Sequence, residues 1–319
     1  MLTSFLSILY MKIAILLFPL FSALTSSAQS LPFPDSCNTV LWGAVNAHGD
    51  TSYILGTCHI FGNTFVDGYV PIKDKYSQAK CIVVERTDIN VVTKKSNWLK
   101  KVSAKDRRLI KGYLKQTTPS FYLTSSTKSP PAWLYYVMLA ELALRECNTY
   151  NENDVCNMDE YIANGATTFN KKLYGLEEKD DTLKTALFAH IGLSNDEDAI
   201  AKIKDMIINN DHYKDTVRKW CNCGEMDGYR NLTINYKFSK SSIEDDSTNS
   251  IVVDQRNDRW MPALKAIIDG NKAFIAVGLG HLYYNKGLIV QLVNSRYTVF
   301  PVAMYNTGPV KYLHKKRQD

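Results

Sequence analysis

The stretch Tyr53-Ile54-Leu55-Gly56-Thr57-Cys58-His59-Ile60 decides the fold, because a second stretch repeats its pattern far along the chain. That second stretch is Phe274-Ile275-Ala276-Val277-Gly278-Leu279-Gly280-His281-Leu282. In each, a hydrophobic run leads into Gly-x-x-His and then a further apolar residue. A short, nearly continuous apolar run reads as a buried strand. Each histidine therefore falls just past a strand end, where α/β sheets hold their chemistry. Two such histidines are placed to converge on a metal or a substrate.

Working outward, residues 39–46 and 51–55 are apolar runs split by Ala47-His48-Gly49-Asp50, a hairpin with a Gly-Asp turn. Cys81-Ile82-Val83-Val84-Glu85 is a β-branched run expected to be a central strand buried on both faces. Residues 70–79 suit a crossover helix between them, giving a β-α-β unit. If the two strands of that unit pair side by side, Glu85 comes close to His59.

The middle of the chain reads as helical. Pro130-Pro131 precede an apolar helix from Ala132 to about Cys147. Residues 157–163 form a shorter amphipathic piece, and Lys172 to Leu176 a strand ending at Glu177. Ser194-x-x-Glu197 is a capping box expected to open one long helix towards Trp220. Residues 243–249 are polar and read as a loop. Near the end come an amphipathic helix over 256–268 closed by Gly270, the second buried strand, a helix over 287–293 and a last strand over 297–302. The basic tail, 311–319, is expected to fray. The expected fold class is α/β, with α/β ends and a helical insertion of about 96–240 between them.

The N-terminus reads as a targeting segment. Met11-Lys12 precede the apolar run Ile13 to Leu24 and then Thr25-Ser26-Ser27-Ala28, the pattern of a secretory signal cleaved after Ala28. The single charge falls inside an apolar stretch, which marks Met11 as an alternative start. Residues 29–319 then form the mature domain, expected in a periplasm or outside the cell with no membrane anchor after cleavage.

The net charge of +6 is mild. Lys94, Lys95, Lys100, Lys101, Lys105, Arg107, Arg108, Lys111 and Lys115 are opposed only by Asp106 across their stretch. Without interleaved aromatic residues this reads as a solvated helix face and not as a nucleic-acid site. Seven cysteines leave one over if the rest pair, and an oxidising compartment permits bridges. Cys147 with Cys156 would close a short loop. Cys221 and Cys223 are expected to pair elsewhere than with each other, in a structural role. Asn231-Leu232-Thr233 fits a glycosylation sequon, relevant only in a eukaryotic secretory pathway.

His59 and His281 lead the candidate site residues. Imidazole is a preferred ligand for zinc and other first-row divalent ions, and a catalytic site needs about three protein ligands. Glu85 is the expected third: a charge ending a buried strand is costly unless it emerges at a polar site or gains a partner. It would ligate metal or act as general base. The competing reading is a strand-end carboxylate capping a helix or pairing with Arg86. Glu177 repeats the logic at its own strand end. Arg256, beside Asn257, would stabilise an oxyanion or bind a substrate carboxylate, against a surface salt bridge as the alternative. Cys58 as a nucleophile with His281 as base is set against a buried, inert thiol, the preferred reading. The chain lacks a Gly-x-Ser-x-Gly elbow, a His-Glu-x-x-His helix and a phosphate-binding Gly-x-x-x-x-Gly-Lys. Gly278-Leu279-Gly280 begins a dinucleotide fingerprint, but Tyr283 stands where its third glycine belongs.

Taken in order, these pieces resemble the TraB/PrgY/GumN family, related to the Tiki proteases. The matching features are Leu41-Trp42, Tyr53 to His59, Val83-Val84-Glu85, Gly175-Leu176-Glu177, Arg256-Asn257 with Trp260, and Val277 to Leu282. Gly287 and the closing run Tyr297 to Val302 also fit. The resemblance implies a central mixed sheet built from two related halves, each giving a strand and Gly-x-x-His. It further implies a metal-dependent peptidase with His59, His281 and Glu85 at a divalent ion (manganese, cobalt or zinc) and Arg256, Asn257 and Glu177 beside them. Its substrate would be a peptide or protein. Tyr283, Tyr284 and Asn285 depart from the family's glycine-containing segment after the second histidine. Two alternatives follow from more distant relatives. One is a non-enzymatic peptide- or haem-binding protein with Tyr283 and Tyr284 lining its cleft; the other is a metal-free esterase of the erythromycin-esterase type.

Overall fold

The computed structural model describes residues 31–35, 38–87, 97–117, 130–147, 154, 156–177, 193, 195–221, 229, 232, 237–241 and 253–305. The signal segment, Lys94, Lys95, Ser194, Cys223, Asn231, the polar stretch 243–249 and the basic tail lie outside these residues. In chain order, strands β1 (Leu41–Val45) and β2 (Thr51–Thr57) are followed by helices α1 (Asn63–Gly68) and α2 (Val70–Gln78) and strand β3 (Cys81–Val84). Helices α3 (Trp98–Lys101), α4 (Ala104–Thr117), α5 (Pro131–Glu146) and α6 (Met158–Thr168) precede strand β4 (Lys172–Gly175). Helices α7 (Asp196–Ile208), α8 (Asn210–Cys221) and α9 (Gln255–Gly270) lead to strand β5 (Ala273–Gly278). A 3-10 turn (Leu279–His281), helix α10 (Leu288–Asn294) and strand β6 (Thr298–Pro301) complete the described elements. Those from Phe33 onward belong to one compact unit.

The six strands form one mixed sheet in the order β4-β3-β5-β2-β1-β6. The block β4-β3-β5-β2 is parallel, and β1 runs antiparallel to both β2 and β6. Burial follows position. All four residues of β3 are buried, as are the first five of β5, so each Ile or Val there contributes roughly 1.5–3 kcal/mol. The outermost strands β4 and β6 are largely exposed, and Pro301 sits on the β6 edge, where a missing ladder donor is tolerated.

The side-by-side pairing of β2 and β3, taken as a condition from the sequence, does not occur. β5 lies between them and is parallel to both. The crossover helix α2 forms as expected, but the connection skips one strand position. The parallel block nevertheless puts the C-terminal ends of β4, β3, β5 and β2 on one edge, where both Gly-x-x-His segments and both glutamates leave the sheet.

The β1–β2 hairpin turns as its sequence predicts. Gly49 has a positive φ of 82°, and Asn46 Oδ1 accepts the N–H groups of His48 and Asp50. The segment expected as one helix from Ser194 to Trp220 is two, α7 and α8, broken at Asn209. Its described cap is Asn195, whose side chain accepts the Asp198 N–H. Helix α5 packs against α7 and α8, and Cys147 is bonded to Cys221, not to Cys156. That bridge ties the end of α5 to the end of α8, beside the Arg218–Glu146 ion pair at 2.6 Å. Cys81 and Cys156 are free thiols. In the basic stretch, Arg107 turns inward to cap α3, donating to the carbonyls of Leu99, Lys100 and Val102.

Candidate active site

Glu85 leaves the end of β3 and its carboxylate is gripped from two sides. Oε1 accepts the Gly278 N–H at 2.6 Å, and Oε2 accepts Arg256 Nη2 at 2.5 Å. Burial alone would raise its pKa, but His281, Arg256, His59 and the Gly278 N–H outweigh that and hold the carboxyl down at about 2. A carboxylate so acidic is a poor proton acceptor near neutrality.

Glu177 arrives by a simple route. Parallel pairing of β3 and β4 continues past both strands, with Leu176 N donating to Val84 O and Glu177 N to Glu85 O at 2.9 Å. The two glutamates therefore emerge side by side. Arg256, in the first turn of α9, bridges them: its Nε donates to Glu177 Oε1 at 2.5 Å while Nη2 holds Glu85. The guanidinium also lies 4.5 Å over the Trp260 ring, a cation–π contact one helical turn away. Only 14% of its side chain is exposed, so Arg256 faces inward in a buried ion-pair network and is not a surface salt bridge. The Glu85–Arg86 pairing considered from the sequence is replaced by Glu85–Arg256.

His281 is fixed in one tautomer by Asn257. Asn257 is fully buried, and its Nδ2 donates to the carbonyls of His281 and Lys286 at 3.1 and 3.0 Å. Its Oδ1 is therefore an acceptor, and it faces His281 Nδ1 at 2.7 Å. The proton belongs on Nδ1, and Nε2 carries the lone pair. Arg256 Nη1 donates to that nitrogen at 3.0 Å. Burial, reinforced by Arg256 and His59 against Glu85, lowers the imidazole pKa to about 3, so it is neutral. Trp260 lies against its ring, tilted by 36° with 4.4 Å between centroids.

His59 lives in a different environment. More than half of its side chain is exposed, and Nδ1 is bonded to Asp159 Oδ2 at 2.7 Å. The Asp159 carboxylate raises its pKa well above the ordinary histidine range. Asp159 lies in the first turn of α6, which Asn157 caps by accepting the Glu160 N–H. Its other oxygen accepts the Thr57 hydroxyl at 2.5 Å. The loop carrying His59 is docked on the start of α6: Cys58 N reaches Met158 Sδ, and Met158 N donates to Phe61 O. Tyr229 seals the arrangement by donating to Gly56 O at 2.9 Å.

The glycines of the two motifs have separate reasons. A Cβ on Gly56 would lie 2.5 Å from Leu279 Cδ1, so this glycine admits the second motif against the first. A Cβ on Gly278 would point into the site, 3.1 Å from Glu85 Oε1, 3.6 Å from His281 Cδ2 and 3.9 Å from His59 Nε2. Of the sequence-predicted residues, His59, His281 and Glu85 thus border one space above Gly278, with Arg256 bonded to Glu85 and His281, Glu177 to Arg256, and Asn257 to His281. Asp159 and Thr57 were not predicted; the only sequence signal was an acidic residue in the first turn of a capped helix, which ordinarily complements the helix dipole.

The whole segment from the first hairpin to the last strand follows one known pattern: a sequence model of the TraB/PrgY/gumN family matches residues 40–301. The chain belongs to the TraB/PrgY/gumN family. No curated protein and no solved structure matches it. In this family member the tyrosine segment after the second histidine is accommodated by strain. Tyr284 adopts a φ of 69°, a conformation glycine takes freely. Tyr283 is fully buried against Trp42 and Phe238 with its hydroxyl on Thr39 O, so it does not line a cleft. Cys58 is partly exposed, not buried as expected.

Among the described residues, no three His, Cys, Asp or Glu side chains stand close enough as arranged to hold a metal ion. The chemistry of the donors fits one all the same. Both histidines engage an oxygen through Nδ1, the outer-shell arrangement that orients metal-ligating imidazoles. His59 Nε2, His281 Nε2 and Glu85 Oε1 border the space above Gly278, the second accepting from Arg256 Nη1 and the third from the Gly278 N–H.

Proposed function

We propose that the protein is a metal-dependent hydrolase, a peptidase acting outside the cytoplasm. The observation that carries this reading is the pair of oxygen-oriented imidazoles, Asp159–His59 and Asn257–His281, flanking one ionised carboxylate. His59, His281 and Glu85 would hold the ion. When bound, a divalent ion supplies Lewis acidity and makes water a nucleophile at neutral pH. The chain's own residues do the rest. Asp159 and Asn257 fix the two rings, Arg256 and Gly278 fix Glu85, and Gly278 keeps the centre open for a reacting group. Half-exposed His59 stands at the mouth, where a substrate enters. The peptide substrate rests on the likeness to Tiki-type proteases. The signal pattern over residues 1–28 and the Cys147–Cys221 bridge support an oxidising, exported location, either periplasmic or secreted. No described helix is long and apolar enough to cross a membrane.

The test is metal content by elemental mass spectrometry on protein purified without chelator, together with cleavage of a peptide library before and after chelation. Near-stoichiometric metal, lost in the His59→Ala/His281→Ala double variant along with activity, is expected. A wild type that stays empty after incubation with manganese, cobalt and zinc defeats the reading. One observation favours a second: Arg256 already satisfies the lone pair of His281, as a metal-free esterase built on Glu85 and the His59–Asp159 pair would require. Ester hydrolysis that survives chelation selects that alternative.

A further inference from the structure

Arg256 does more than neutralise the two glutamates. Its Nη1 donates to His281 Nε2, the one nitrogen of that ring which Asn257 leaves free to bind an ion. Its Nη2 holds Oε2 of Glu85, whose Oε1 lies 3.7 Å from the same His281 nitrogen. A hydrogen bond to a lone pair and a metal bond to it exclude one another. A fixed positive charge at that distance also opposes a second cation in a site of restricted solvent access.

We propose that the Arg256 guanidinium and a divalent cation compete for the His281–Glu85 corner of the site, and that Glu177 retains Arg256 when the cation enters. This rests on the metal reading above and adds an element to it: a built-in cation that must be turned aside. The geometry provides for that movement. Nε to Glu177 Oε1 and the face of Trp260 hold the guanidinium independently of its contact with His281. The head can therefore give up Nη1 without losing its anchor. Trp260 also lies against His281, so it touches both Arg256 and the contested imidazole and reports on the exchange.

Zinc, which does not quench by paramagnetism, is the probe. Calorimetric titration of zinc into the wild type and Arg256→Met is expected to show binding tighter by about tenfold or more in the variant, with Arg256→Lys between them. In the wild type, zinc should change tryptophan emission, and Trp260→Phe should abolish that change. A folded Arg256→Met protein that binds zinc no more tightly than wild type overturns the competition while leaving the metal reading intact. So does zinc binding to the wild type without a Trp260-dependent signal, a measurement that also decides the matter if Arg256→Met fails to fold. Zinc bound by Arg256→Met but not by the wild type upholds the competition and defeats metal dependence of the native protein. Absence of binding in both, with the variant folded, defeats the two together.

Discussion

His59 Nδ1 and Asp159 Oδ2, one hundred residues apart in sequence, lie 2.7 Å apart at the mouth of the site. The carboxylate keeps a proton on Nδ1 and points Nε2 towards Gly278, where an incoming ion would displace the second proton of the charged ring, and Thr57 in turn fixes the carboxylate. Asp159 is thus a positioning residue acting through His59. Asp159→Ala should weaken metal binding or activity by about 10- to 100-fold, the usual cost of losing an outer-shell partner. Asp159→Asn keeps an acceptor oxygen and should recover part of it. Calorimetric affinity and kcat/KM on the three proteins check this; equal values would show that His59 is oriented without Asp159.

Gly278 separates function from stability. Its φ of −51° suits any L-residue, so Gly278→Ala brings no left-handed strain. The added methyl would sit against Glu85 Oε1 and between the two imidazoles. A fall in activity or metal affinity of at least about tenfold is expected, with the melting temperature close to wild type. Gly56→Ala should do the opposite. Its Cβ would meet Leu279 Cδ1 at 2.5 Å and Leu282 Cδ1 at 2.9 Å, so about 1–3 kcal/mol of stability is lost. Thermal melts and affinity measured on both variants separate the roles; matching losses in the two would refute the distinction.

What the sequence made legible was local. The apolar runs of β2, β3 and β5, the turn at Gly49 and the strand-end positions of His59, Glu85, Glu177 and His281 follow from period and composition, which each segment carries alone. Strand order is not carried that way, and the insertion of β5 between β2 and β3 depended on pairings across some two hundred residues. Glu85 still reached the site because every strand of the parallel block ends on the same edge. Asp159 was missed because its local environment, an acid in a helix's first turn, already has an ordinary explanation. The Cys147 partner was missed because loop length says nothing about which helix ends meet.

The Cys147–Cys221 bridge closes a separation of 74 residues and fastens the helices α5 and α8. On the chain-entropy account, a loop of this length is stabilised by about 4 kcal/mol. Reduction, or Cys147→Ser with Cys221→Ser, should lower the urea midpoint accordingly, with the sheet-edge site intact if the native state is still populated. Urea curves with and without reductant, with metal affinity read below the transition, make the comparison. An unchanged midpoint under full reduction would show that the packing of α5 on α7 and α8 suffices without the bond.

Acid should unfold the protein through two groups of the site. His281 is neutral in the fold, with its pKa lowered from 6.5 to about 3, so below pH 6.5 the unfolded chain takes up a proton that the folded chain refuses. Its stabilising contribution is complete above pH 6.5 and falls as pH drops towards 3. Glu85 follows the same sign over a lower window: its pKa is lowered from 4.5 to about 2, and its contribution declines as pH falls from 4.5 towards 2. Each group adds a slope of about 1.4 kcal/mol per pH unit within its window. His59 runs the other way. Its raised pKa gives a contribution that is full below 6.5 and lost as pH rises through the elevated value, and solvent at its half-exposed ring weakens it. Urea titrations at a series of pH values should therefore show His281→Gln flatter than wild type between pH 6.5 and 4.5 by about one proton. Parallel curves for the two proteins would mean that His281 is protonated in the fold, and the tautomer assigned through Asn257 would then be wrong.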